Sequence, residues 1–161
     1  MDEESDSSFA HPNLFNHFKI KGKLNEFSVT TLSNYSSKMS GRVAKGITIR
    51  GVGQFNIYKL PHLYEAAFIP DCRDEVATPE DVGMIKSISQ FKDKFNSFRK
   101  DAEVLLLLGR DNSEIIATKT HSQTAPIVHE TPLGWALVGE SSGPTGVLFV
   151  KNCYIAAFIS I

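Results

Sequence analysis

At 161 residues the chain has the length of one domain, and 42% hydrophobic residues is enough apolar material for a core, which excludes wholesale disorder. A formal net charge of −1 excludes a nucleic-acid or membrane-surface binder held by a large basic face, so neither nucleic acid nor membrane is an expected partner. Cys72 and Cys153 lie far apart and no Cys-x-x-Cys or His-x-x-x-His spacing occurs, so no metal and no cofactor are expected.

The cysteines read as free thiols of a reducing compartment. The N-terminus, Met1-Asp-Glu-Glu-Ser-Asp6, is acidic and unlike a targeting signal, which makes a soluble cytoplasmic protein the expectation. In chain order, residues 2–9 read as a polar loop. Pro12 opens a short helix from Asn13 to Phe18, broken by Gly22. Period-two alternation predicts strands over Phe27–Leu32 and, more loosely, Val43–Ile49, with the polar stretch Ser33–Gly41 as the hairpin loop between them. A third strand is predicted over Gln54–Leu60, followed by an irregular, turn-rich stretch from Pro61 to Pro79.

Thr78-Pro-Glu-Asp81 is a helix-start signal: a capping hydroxyl, proline at the first position and acids in the first turn. Ile85, Ile88, Phe91, Phe95 and Phe98 then recur at helical spacing as a core-facing stripe, with Gly83 as a point of division. Val104–Leu108 is a continuous apolar run, predicted as a strand buried on both faces and stopped by Gly109. Another strand is predicted over Gly134–Val138, where Trp135 serves core or subunit packing. The five histidines read as surface or capping residues. Residues 141–161 are read as a linker and an apolar tail, too short and too interrupted by Lys151 and Asn152 for the ~20 residues of a membrane span.

Several stretches, taken in order, resemble a known family. They are Phe27-Ser-Val-Thr-Thr-Leu-Ser33, Gly46-Ile-Thr-Ile-Arg-Gly51, Leu60-Pro61, Phe68-Ile-Pro-Asp71, Glu75-Val-Ala-Thr-Pro-Glu80, Leu105-Leu-Leu-Leu-Gly-Arg-Asp111, Ala125-Pro126 and Leu133-Gly-Trp135 to Val138-Gly139. The ordered set is similar to the retropepsin-like aspartic peptidase domain of BEL/Pao-type retrotransposon polyproteins, over residues 2–140. The resemblance implies a mostly β fold with short helices (β-rich α+β), a retropepsin-like half-barrel. Its first strand would be missing, since Asp2 directly follows Met1.

The resemblance implies catalysis by two aspartates, one from each subunit of a homodimer, acting on a polypeptide. Two carboxylates ~3 Å apart cannot both ionise, so they share a proton and divide the acid and base roles. The catalytic position falls on Asp2, with Ser5, Asp6 and Arg110 supporting the catalytic turn. An ion pair between Arg110 and Asp6, made to a buried carboxylate, is expected. The hairpin from Phe27 to Ile49 takes the place of the flap, with its tip within Ser33–Gly41 as the substrate-binding candidate.

One position departs from the pattern. The family has glycine two residues after the catalytic aspartate, where backbone amides approach the carboxylates. Glu4 stands there. Asp2, Glu3, Glu4 and Asp6 with their symmetry mates would bring eight carboxylates to a dimer axis. Like charges ~4 Å apart repel by about 4 kcal/mol at an effective dielectric of about 20. The expectation is therefore a degenerate or truncated peptidase-like domain without catalysis. The alternatives are an active homodimeric endopeptidase that cleaves its polyprotein, and a non-enzymatic peptide-binding or dimerisation module.

Overall fold

A computed structural model describes residues 6–31, 34–70, 76–97, 101–122, 124–142 and 148–151. The described chain is mostly β with a few short helices. Its first sheet is built on a strand of two residues, β1 (Phe9–Ala10), and a helix, α1 (Pro12–His17). Proline fits the first helical turn because the amide it lacks would have no partner there. His11 caps that turn, its Nδ1 accepting from the Asn13 amide at 3.2 Å. The helix stops before Gly22: Lys19 adopts a φ of 52°, and the Ile20 amide closes onto the Phe15 carbonyl at 2.8 Å.

Next comes a long antiparallel ribbon, β2 (Lys23–Thr31) and β3 (Asn34–Ala44), paired from Lys23 with Val43 to Thr31 with Asn34. This corrects the expected loop. Of the flap candidate Ser33–Gly41, residues 34–41 are strand, and Ser33 lies outside the described residues. Polarity misled the reading. Lys38 and Ser40 are exposed and Met39 between them is half-buried, the alternation of a strand with one covered face.

The strand predicted over Val43–Ile49 is also divided. Gly46 takes a φ of 76°, separating β3 from β4 (Thr48–Ile49), which pairs with β5 (Tyr58–Lys59), the surviving part of the strand expected over Gln54–Leu60. Within the stretch read as irregular lies β6 (Leu63–Glu65), central to the sheet. It runs parallel to β1 and antiparallel to β3. On the far side of β1 stands β7 (Leu106–Leu107), giving the order β2-β3-β6-β1-β7. The apolar run 104–108 is thus strand over two residues only. Leu106 and Leu107 are half-buried, because among the described residues β7 pairs with β1 alone. Ala10, Ala44 and Leu63 on the sheet, Leu14 and Phe15 of α1, and Leu108 form one core cluster.

A second cluster joins the helical stripe to the C-terminal strands. Thr78 caps α2 (Pro79–Met84) in a full capping box: its hydroxyl accepts from the Asp81 amide, and the Asp81 carboxylate accepts from the Thr78 amide. The helix ends at Met84, and a separate 3-10 turn covers Ser89–Lys94, so the stripe is carried by two short pieces. Phe98 lies outside the described residues. Val82, Ile88 and Phe95 pack with Val128 and Leu137, from the hairpin of β9 (Ile127–Thr131) and β10 (Gly134–Ser142). Trp135 packs at the margin, stacked on Phe91 at 5.8 Å between ring centroids. On one side β9 pairs with β8 (Lys119–Thr120), and β10 pairs with β11 (Leu148–Lys151). The boundary expected after residue 140 therefore falls inside a strand, and part of the expected tail pairs back onto it.

Candidate functional site

The first sheet brings the N-terminal segment to the Gly109-Arg110-Asp111 loop. Strand β1 is held on both sides, and its lead-in residues Asp6 to Ser8 run beside the end of β7. Gly109 makes the approach possible. A Cβ there would lie 2.4 Å from the Ser7 carbonyl oxygen and 2.7 Å from its nitrogen, both backbone atoms. The constraint is space, since φ at Gly109 is −95°, open to any residue.

Ser8 is completely buried and its hydroxyl is saturated. It accepts from the Gly109 amide at 3.1 Å and from Asn112 Nδ2 at 2.7 Å, and it donates to Asp111 Oδ1 at 3.0 Å. Asn112 Nδ2 also donates to Asp111 Oδ1 at 2.7 Å. Asn112 Oδ1 is buried with no hydrogen-bond partner among the described residues. Reading the sequence missed Ser8 and Asn112. The signal was the small hydroxyl one step before a strand, opposite a glycine over a hundred residues away, and nothing local marks it.

Arg110 Nη2 donates to Asp6 Oδ1 at 2.5 Å, so the expected pair is present. Its setting differs from the expectation: the two side chains are 54% and 84% exposed. Asp2, Glu3, Glu4 and Ser5 lie outside the described residues, so the structure assigns neither Asp2 nor Ser5 a place in this site.

A second arginine–carboxylate pair lies within the sheet. Arg42 makes a two-pronged contact with Glu65, Nε to Oε2 at 2.9 Å and Nη2 to Oε1 at 2.5 Å, and its backbone amide adds a third bond at 2.9 Å. Nη2 also reaches Asn16 Oδ1 at 2.9 Å, and the guanidinium sits 4.9 Å from the centre of the Phe15 ring. The hydrogen bond from Arg42 holds the Glu65 carboxyl below its ordinary range, and the same bond raises Arg42. This pair ties α1, β3 and β6 together.

Among the described residues no group of three or more His, Cys, Asp or Glu is placed to hold a metal ion. No helix among them is long and apolar enough to cross a membrane. The chain matches no protein-family model, no curated protein and no solved structure.

Proposed function

We propose that the chain is a degenerate aspartic-peptidase-like domain, of the retropepsin-like kind found in BEL/Pao-type retrotransposon polyproteins, and that it does not catalyse proteolysis. The observation that carries the reading is the meeting of Asp6–Ser8 with Gly109–Asn112. A segment four residues after the aspartate of the resembling motif enters a sheet between one parallel and one antiparallel neighbour, and is clasped there by a Gly-Arg-Asp loop. The Arg110–Asp6 contact is the one the resemblance implies, and the Ser8 contacts with Gly109, Asp111 and Asn112 stand beside it.

Inactivity follows from chemistry at Glu4. A glutamate in place of the turn glycine adds a Cβ and a negative charge where backbone amides would need to face a shared proton. The test is incubation of the full chain with an unfolded polypeptide at roughly pH 4 to 7, where a carboxylate pair with raised pKa values would share one proton. No cleavage is expected. Cleavage that is blocked by an aspartic-protease inhibitor and lost in Asp2→Asn would overturn the assignment of inactivity.

A further inference from the structure

The two faces of the first sheet differ. Ala10, Leu63 and Ala44 belong to the core face, together with α1. The opposite face follows from the register: Lys23 pairs with Val43, Val43 with Tyr64, Tyr64 with Phe9, and Phe9 with Leu107. Asn25 and Phe27 continue it at two-residue steps along β2. The Phe27 ring lies 5.1 Å from Tyr64 and 6.3 Å from Phe9, between centroids. All three aromatics are half-buried, and none belongs to either buried cluster.

At one end of this face opens a cavity of about 540 Å³, lined by Lys21, Gly22, Lys23, Asn25, Val43 and Lys45. Among the described residues no acidic side chain lines it. All three lysines are exposed, and none forms an ion pair with another described residue. The nearby Glu65 carboxylate points to the core face and is engaged by Arg42. Val43 belongs both to the cavity wall and to the row leading to Tyr64 and Phe9, so the cationic hollow and the aromatic strip are one continuous surface.

We infer that this face binds an acidic peptide segment of a partner protein. Its carboxylates would occupy the lysine-lined cavity while an apolar side chain rests on Phe27, Tyr64 and Phe9. Charge complementarity selects the occupant: three lysines lining a concavity, with no ion pair among the described residues, favour a cluster of carboxylates, and a half-buried aromatic strip favours an apolar side chain beside it. Three lysines on a chain of net charge −1 are too few to track a nucleic-acid backbone. The inference stands on this face alone and does not depend on the peptidase reading.

The test is fluorescence anisotropy on the full chain, with a labelled peptide alternating Glu and Phe and a second peptide carrying Gln at every Glu. The acidic peptide is expected to bind about tenfold more tightly, the sum of three modest exposed charge contacts. The preference should vanish in the triple variant Lys21→Gln, Lys23→Gln, Lys45→Gln, which changes only exposed side chains, while Phe27→Ser weakens both peptides. Equal binding of the two peptides, no binding of either, or a preference that survives the triple variant would overturn the inference. So would stronger binding of a single-stranded oligonucleotide. Binding seen only after Asp2, Glu3 and Glu4 are replaced by their amides would assign the face to the chain's own acidic segment and exclude the partner peptide.

Discussion

Two residues apart, Asp6 and Ser8 meet the same loop in opposite ways. Asp6 meets it through a full charge, with an arginine partner, in the open. Ser8 meets it through a neutral hydroxyl, inside the molecule, with every hydrogen-bonding position used. The charged contact is the more conspicuous, yet solvent screens it and the long Arg110 side chain loses freedom to make it. The hydroxyl is the stronger anchor, because removing it would leave buried donors with nowhere to turn. Position in the fold, more than formal charge, decides which contact holds the segment.

The largest expected effect tests the interior side of this comparison. Gly109→Ala drives a methyl into the Ser7 backbone, where no rotamer change can relieve the contact. It is expected to cost about 3 kcal/mol, read as a fall in the urea midpoint at constant slope. An unchanged midpoint would mean that the loop and the N-terminal segment separate easily, and that the clasp is not a fixed feature. Ser8→Ala comes next. It leaves the Gly109 amide and one Asn112 Nδ2 proton buried without an acceptor, for about 2 kcal/mol.

Arg42–Glu65 occupies the middle ground, charged like Asp6–Arg110 but set partly inside the sheet, with side chains 29% and 14% exposed. Glu65→Gln is expected to cost about 1 kcal/mol at neutral pH. The pH dependence has a definite sign. Because the Arg42 hydrogen bond depresses the Glu65 pKa in the folded protein, its contribution is complete above the ordinary carboxylate range, about pH 4, and is lost as pH falls through the folded value. Urea midpoints of the wild type and Glu65→Gln should therefore converge on acidification. Parallel curves would remove Glu65 as the cause.

How far these contacts were legible in the sequence depends on how local their causes are. The cap of α2 was readable because Thr78 and Asp81 are three residues apart and each serves the other. The start of α1 was equally local. Strand β6 was not readable, since three residues carry no period and the central position of β6 is set by neighbours far away in the chain. The β3 ribbon was misread because exposed serines and a lysine resemble a loop until a partner strand supplies the ladder. Asp6–Arg110 was reached only through a family resemblance, which gave the partners but not their exposure. The lysine cavity had no signature at all: Lys21, Lys23 and Lys45 converge only when β2 pairs with β3.

The smallest expected effect tests the exposed side of the comparison. In a double-mutant cycle of Asp6→Asn with Arg110→Gln, the coupling should be at most about 1 kcal/mol, as for other solvent-exposed pairs. It should shrink further at about 1 M salt, where the screening length falls to roughly 3 Å. The cost of Ser8→Ala, which removes a neutral contact from the interior, should be insensitive to the same salt. A coupling above about 2 kcal/mol that persists in salt would place the ion pair among desolvated contacts. The anchor of the N-terminal segment would then move from Ser8 to Asp6.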